Sequence, residues 1–179
     1  MFASTVSDDR FTKENIMSFV LFRISTAVAA ALLPVVLTLT STASAQGTLS
    51  GTYKANGKPA ALTQVVAYKG EPESGKPITL LVFTSKDQGK DPKAAFNALF
   101  GKYGDAIVVK VFPDGKVYSA DVRHSALDIG PVPSATVFDV VQIKDYKAAG
   151  GEISGRVTGK TEIRGQPWEV DLAFQTKAP

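Results

Sequence analysis

The sequence predicts a mainly β domain: an antiparallel β-sandwich or barrel of about eight strands, with one amphipathic helix inserted between strands three and four. Three observations lead there. Beyond residue 45 the chain is cut into short runs rich in Val, Ile, Leu and aromatic residues, separated by Gly, Pro, Asn and Asp clusters that form turns. The last run, 167–176, alternates cleanly, with Trp168, Val170, Leu172 and Phe174 on one face and Glu169, Asp171 and Gln175 on the other. One stretch, 91–100, carries helical spacing.

Each element follows from its residues. Residues 46–55 read as a first strand, with Leu49 and Tyr53 among Gly, Ser and Thr, and Asn56-Gly57-Lys58-Pro59 reads as a turn because Asn-Gly tolerates positive φ. Residues 62–68 form a second strand, and 70–77 a polar loop carrying Glu71 and Glu73. The third strand, 78–84, is apolar on both faces through Leu80, Leu81, Val82 and Phe83, which predicts a strand covered on both sides. After a polar loop at 85–90, Asp91 is placed to cap a helix and Pro92 suits its first position. Ala95, Phe96, Leu99 and Phe100 make an apolar stripe expected to lie on the sheet, and Gly101 and Gly104 suit the stop. A fourth strand at 105–112 and a fifth at 116–123 flank the tight turn Pro113-Asp114-Gly115. A loop at 124–134 leads to a sixth strand at 135–143, a turn at 145–151, a seventh strand at 152–158 and the eighth at 167–176. Gly-x-Pro recurs at Gly57-Lys58-Pro59, Gly75-Lys76-Pro77 and Gly165-Gln166-Pro167, each time before a strand, and reads as a strand-entry turn.

Residues 1–45 read as a secretory leader. A short segment with Arg23 precedes the apolar and small residues of 24–40, and Ala43-Ser44-Ala45 supplies the small side chains of a cleavage site. Met17 is the better start, because a start at Met1 places Asp8, Asp9 and Glu14 where a positive segment belongs. Residues 46–179 are then one exported domain, periplasmic or extracellular, with no stable membrane span after cleavage. Pro34 and the Ser/Thr run at 38–44 shorten the candidate span below the roughly 20 apolar residues a spanning helix needs.

Composition excludes several classes of function. The formal net charge is +3, and the leader's Arg10, Lys13 and Arg23 balance its three acids, so the exported part keeps that charge. Its basic residues are scattered without a run, which argues against nucleic-acid binding. The chain has no Cys, so it has no disulfide, thiol nucleophile or thiolate metal site. Both methionines, Met1 and Met17, lie in the leader.

The residue pattern carries no catalytic residue, metal ligand or cofactor site. His124 is the only histidine and adjoins Ser125, with Asp121 and Asp128 close by. Neighbouring residues on a strand point to opposite faces, so this adjacency does not by itself make a Ser-His-Asp arrangement. Asp87-Gln88-Gly89-Lys90-Asp91 lacks the carboxylates of a calcium loop. Glu71 with Glu73, and Glu169 with Asp171, are the carboxylate pairs to consider for a cleft. Tyr103 and Tyr146 lie in expected loops and are candidate surface contacts. The candidate binding residues are therefore Glu71, Glu73, Tyr103, His124 and Tyr146.

Gly51-Thr52-Tyr53 on the first strand resembles the Gly-x-Trp signature of lipocalins, as does the strand count. Tyr stands where that signature has Trp, and the helix falls mid-chain rather than after the last strand, so no lipocalin residue roles are carried over. The leading expectation is a non-catalytic exported domain that binds a macromolecular or cell-envelope partner. Its alternatives are a carrier of a small apolar ligand in a lipocalin-like barrel, and a hydrolase using His124 and Ser125.

Overall fold

A computed structural model describes residues 47–179. The leader, its Met17 start, the cleavage after Ala45 and Gln46 of the first strand lie outside the described residues. Ten strands and one helix follow in chain order: β1 (Thr48–Ala55), β2 (Lys58–Pro59), β3 (Gln64–Glu73), β4 (Lys76–Thr84), α1 (Ala94–Leu99), β5 (Ala106–Val111), β6 (Val117–Arg123), β7 (Ala135–Val137), β8 (Val141–Ala149), β9 (Glu152–Ile163) and β10 (Gln166–Lys177). They form two antiparallel five-stranded sheets, ordered β2-β1-β10-β9-β8 and β3-β4-β5-β6-β7. Neither sheet closes into a ring, so the barrel alternative gives way to two open sheets.

Ten strands stand where about eight were expected: two local features account for the difference, and a third lengthens β8. The short edge strand β2 adds one and places the helix between β4 and β5. The expected sixth strand breaks after Val137, where Asp139 takes a φ of 60°; β7 then joins one sheet and β8 the other. The expected turn at 145–151 is instead strand as far as Ala149. Asp145, with a φ of 53°, sits where the β8–β9 register shifts between Lys144 and Lys147, so the turn-forming residue makes a bulge.

Turn chemistry sets the hairpins. Asn56-Gly57, Ser74-Gly75, Gly150-Gly151 and Arg164-Gly165 each have positive φ at both central residues, between 50° and 78°. That is the signature of the two-residue turn whose twist matches the flanking strands. The repeated Gly-x-Pro is thus three hairpins of one kind, with Pro as the second residue of each returning strand.

The inner faces of the two sheets share one core. Tyr53, Val157, Trp168, Leu172 and Phe174 of the first sheet meet Val65, Leu81, Phe83, Ile107, Val109 and Val122 of the second. Phe83 stands edge-on to Phe174 at 5.5 Å between ring centres, and Tyr53 edge-on to Trp168 at 6.2 Å. The alternation expected for the last strand places Trp168, Val170, Leu172 and Phe174 in this core. On β4, Leu81 and Phe83 enter the same core while Val82 faces the other way, so the strand is covered on both sides as its sequence implies.

What covers the far side of β4 is α1, in an orientation the sequence did not anticipate. Ala94 and Ala98, with Tyr103 from the following turn, pack on Val82, Ala106 and Val108. Phe96 and Phe100, expected to face the sheet, are 59% and 56% exposed and lie against each other at 4.5 Å. The helix is held in this rotation by polar contacts. α1 begins at Ala94 with Lys93 at its N-cap and no side-chain cap, so Asp91 and Pro92 lie before the helix and not at the cap and first position expected of them. Asp91 accepts the Lys93 N–H at 2.9 Å, and its other oxygen accepts from Asn97 at 2.7 Å, from Lys102 at 2.8 Å and from the Tyr103 hydroxyl. These partners hold its carboxyl well below the usual carboxylate range, Lys102 contributing most. Upstream, buried Gln88 donates to the Val82 carbonyl at 2.9 Å and to Thr84 Oγ1 at 3.0 Å, and accepts from Tyr68, which pins the incoming loop.

Candidate functional site

His124 follows the end of β6 and lies under the 124–134 loop. It is 3% exposed, so the expected loop histidine is a buried one. Its ring centre is 5.0 Å from that of Tyr53. The Ala126 N–H donates to Nδ1 at 3.0 Å, which assigns the remaining proton of a neutral ring to Nε2. Nε2 is buried and has no hydrogen-bond partner among the described residues. Burial pushes the imidazole below its ordinary value, and the Asp105 carboxylate and the Lys58 backbone oppose that shift only in part. Ser125 is turned toward Asp105, with Oγ donating to Oδ2 at 3.3 Å. The imidazole and the Ser125 hydroxyl therefore make no hydrogen bond, and the triad geometry considered for them is not assembled.

The loop over His124 is held by Asn56, in the turn after β1, and Gln166, the first residue of β10. Asn56 Nδ2 donates to the Ala126 carbonyl and to Gln166 Oε1, each at 2.7 Å. Gln166 Nε2 donates to the Asp128 carbonyl at 2.8 Å, and its Oε1 accepts the Asp128 N–H at 2.9 Å. This clasp has a structural task, closing one end of the core over Tyr53, His124 and Trp168.

The remaining candidates do not gather into one site. Glu71 is exposed on β3, and Glu73 accepts from Lys110 at 3.2 Å. Tyr103 is 5% exposed and belongs to the layer under α1, so it is not a surface contact. Tyr146 lies in β8 rather than a loop and is half-buried, packing on the core next to Gly115. The β3–β4 hairpin turn and the 124–134 loop fall at opposite ends of the second sheet, given the antiparallel registers of β4, β5 and β6. Glu71 and Glu73 are thus at one end, and Tyr103 and His124 at the other.

Two surfaces remain. The outer face of the first sheet is a polar grid. Thr52, Asp171, Thr158 and Gln142 lie in one cross-strand row, and Ser50, Ala173, Arg156 and Lys144 in the next. Open depressions of about 530 and 500 Å³ lie on this face. Several of its charges are paired: Arg156 makes two bonds to Asp171 at 2.6 and 2.7 Å, and Glu169 takes Lys54 at 3.3 Å and Lys160 at 3.9 Å, while among the described residues no carboxylate lies within 4 Å of the Lys144 and Lys147 ammonium groups. The carboxylates Glu169 and Asp171, which alternation places together, are each engaged by cations. Arg156 holds the Asp171 carboxyl below its ordinary range.

The outward face of α1 is different in kind. Phe96 and Phe100 are four residues apart and present adjoining rings to water. Lys93, three residues before Phe96, shares this face. Lys86, Lys90 and Lys93 are exposed, and among the described residues no carboxylate lies within 4 Å of their ammonium groups. At the helix end the Arg123 guanidinium lies over Gly101, where an added Cβ would come within 2.5 Å of it. Arg123 also donates to the Pro133 carbonyl at 2.7 Å, beside exposed Val132. A second aromatic run, Phe112–Tyr118–Phe138, lies on the second sheet, but Lys76 and Lys110 stand over its first two rings at 5.6 and 5.9 Å.

Of the apolar stripe expected on the sheet, Ala95 and Leu99 pack against the layer under α1, while Phe96 and Phe100 face water. Ala94 and Ala98 share a helical spacing as good as that of Phe96 and Phe100, on the opposite side. That two-sided pattern was the available signal. The carrier expectation calls for an interior chamber, and Tyr53, Phe83, Trp168 and Phe174 fill the space between the sheets. Among the described residues no cluster of three or more His, Asp or Glu is placed to hold a metal, and no helix is long and apolar enough to cross a membrane. No protein-family model matches this chain, no curated protein matches it, and no solved structure matches it.

Proposed function

We propose that this chain is an exported, non-catalytic β domain that binds a macromolecular or cell-envelope partner, and that the contact is made by the outward face of α1. One observation carries the reading: the pair of large, adjoining, water-facing rings at Phe96 and Phe100 on a helix whose other face is seated on the sheet. Contiguous exposed apolar surface with a polar rim is characteristic of interaction sites. The rings stand on a helix anchored through Asp91 and Gln88, so little ordering is needed on contact. Export follows from the leader, and the buried, neutral His124 supports a structural role for the one histidine.

A photoreactive phenylalanine analogue at position 96, in the chain as its cell produces it, tests this. The expected result is covalent adducts at position 96 and few from the same analogue at Thr158, on the polar face of the first sheet. Adducts that are absent at 96, or no more abundant there than at 158, overturn the proposal.

A further inference from the structure

We infer that the partner surface is an anionic lipid bilayer, with Phe96 and Phe100 entering the interface and the surrounding cations resting on the headgroups. This rests on the reading that the α1 face is the contact surface.

An apolar insert and a basic surround together hold a protein on a bilayer more firmly than either does alone. The insert is the Phe96–Phe100 pair, held 4.5 Å apart and more than half exposed. The surround is Lys86, Lys90 and Lys93 along the approach to the helix and its first turn, with Arg123 at its far end. The acidic residues of the same stretch do little to offset it. Asp91 is turned inward onto Lys102, Tyr103 and Asn97, and Asp87 is the one other carboxylate between residues 85 and 104.

On the outer face of the first sheet, Arg156, Lys54 and Lys160 are matched by Asp171 and Glu169. Lys144 and Lys147 of that face stand without a carboxylate but also without exposed rings, whereas at α1 Lys93 shares the face of Phe96 and Phe100, and Lys86 and Lys90 lie on the chain leading into it. A bilayer suits this arrangement better than a protein groove does. Lysine heads stay in headgroup water while their stems and the neighbouring rings leave it. Burying three or four lysines in a dry protein interface would carry a desolvation penalty unless each met a carboxylate. The outward face of a helix is also convex, which fits a deformable surface.

The test is flotation of the purified full chain with vesicles of phosphatidylcholine alone, or of phosphatidylcholine with phosphatidylglycerol. The expected result is binding to the phosphatidylglycerol vesicles, weakening as added salt shortens the screening length, and much weaker binding to phosphatidylcholine alone. Phe96→Ser with Phe100→Ser should weaken binding by about tenfold or more while thermal unfolding stays cooperative, at a temperature lowered by several degrees. Lys86→Gln, Lys90→Gln and Lys93→Gln together should weaken it by at least about tenfold and remove the preference for anionic lipid. Both variants keep the apolar 24–40 segment, so any difference from wild type reports on the α1 face. If the serine variant is poorly folded, the lysine variant, whose changes are all at exposed positions, still decides. Equal binding to both vesicle types, or lysine and serine variants that bind as wild type does, overturns the inference. Adducts to a protein at position 96 without flotation would overturn the lipid inference and leave the contact surface standing; failure of both would remove the two together.

Discussion

Phe96→Ala and Ala98→Leu, measured side by side, test how α1 sits on its sheet. Phe96 is 59% exposed, so of the roughly 200 Å² a phenylalanine ring offers, about 80 Å² is covered. At about 25 cal/mol per Å² this sets a ceiling near 2 kcal/mol. A compact unfolded chain lowers that figure, and alanine's better helix propensity returns roughly 0.5 kcal/mol. The net loss should be about 1 kcal/mol, against about 3–5 kcal/mol for truncating a phenylalanine in a packed core. Ala98 is fully buried against Val82 and Val108, and leucine there must lift the helix or displace its neighbours, at about 1–3 kcal/mol. The assay is urea unfolding followed by the emission of Trp168, the only tryptophan and a buried one. The expected order is a larger loss for Ala98→Leu than for Phe96→Ala. A loss of about 3 kcal/mol or more for Phe96→Ala, with Ala98→Leu near neutral, would mean that the phenylalanines face the sheet and would refute the reasoning.

Further outcomes follow from the buried end of the core. His124 is the only histidine, so its imidazole resonances are unambiguous, and they should titrate below the ordinary value of about 6.5. Because its folded pKa is the lower one, its stabilising contribution is present above about 6.5 and is lost as pH falls toward and through the folded value; an imidazole titrating at or above 6.5 would contradict its burial as a neutral ring. The Tyr53 hydroxyl, whose pKa burial drives far upward, contacts the Arg123 carbonyl at 2.9 Å and the Ala106 carbonyl at 3.1 Å. Tyr53→Phe should cost about 1–3 kcal/mol in urea unfolding, and a change below about 0.5 kcal/mol would show that neither carbonyl depends on it. Asn56→Asp replaces a donor that faces two acceptor oxygens, so it should open the clasp and speed amide hydrogen exchange at Asp128; an unchanged exchange rate there would show that Gln166 holds the loop alone.

What was legible in the sequence depended on signals that are local. The last strand was legible because its period of two is carried by large residues, and the Asn56-Gly57 turn because Asn before Gly tolerates positive φ, while the tight Ser74-Gly75 and Arg164-Gly165 turns lay hidden in the expected 70–77 loop and in 159–166. β4 was legible as covered on both sides because four apolar residues in succession leave no wet face. The rotation of α1 was not, since both of its faces are apolar and the polar contacts of Asp91, Asn97, Tyr103 and Gln88 that accompany it leave no trace in helical spacing. The burial of His124 was equally hidden, because the loop above it is secured by Asn56 and Gln166, far away in the chain. The break at Asp139 reflects the needs of two different sheets, which no single stretch records. None of the five residues singled out for binding lies on the outward face of α1.

The account turns on where the molecule meets its partner, and backbone amide shifts of the exported chain would show this residue by residue. They would be recorded with and without bicelles of phosphatidylcholine and phosphatidylglycerol. The account predicts changes concentrated between Lys90 and Lys102 and around Val132, with Thr52, Thr158 and Asp171 unmoved. Changes centred on Thr52, Thr158 and Asp171, or none at Phe96 and Phe100, would contradict it.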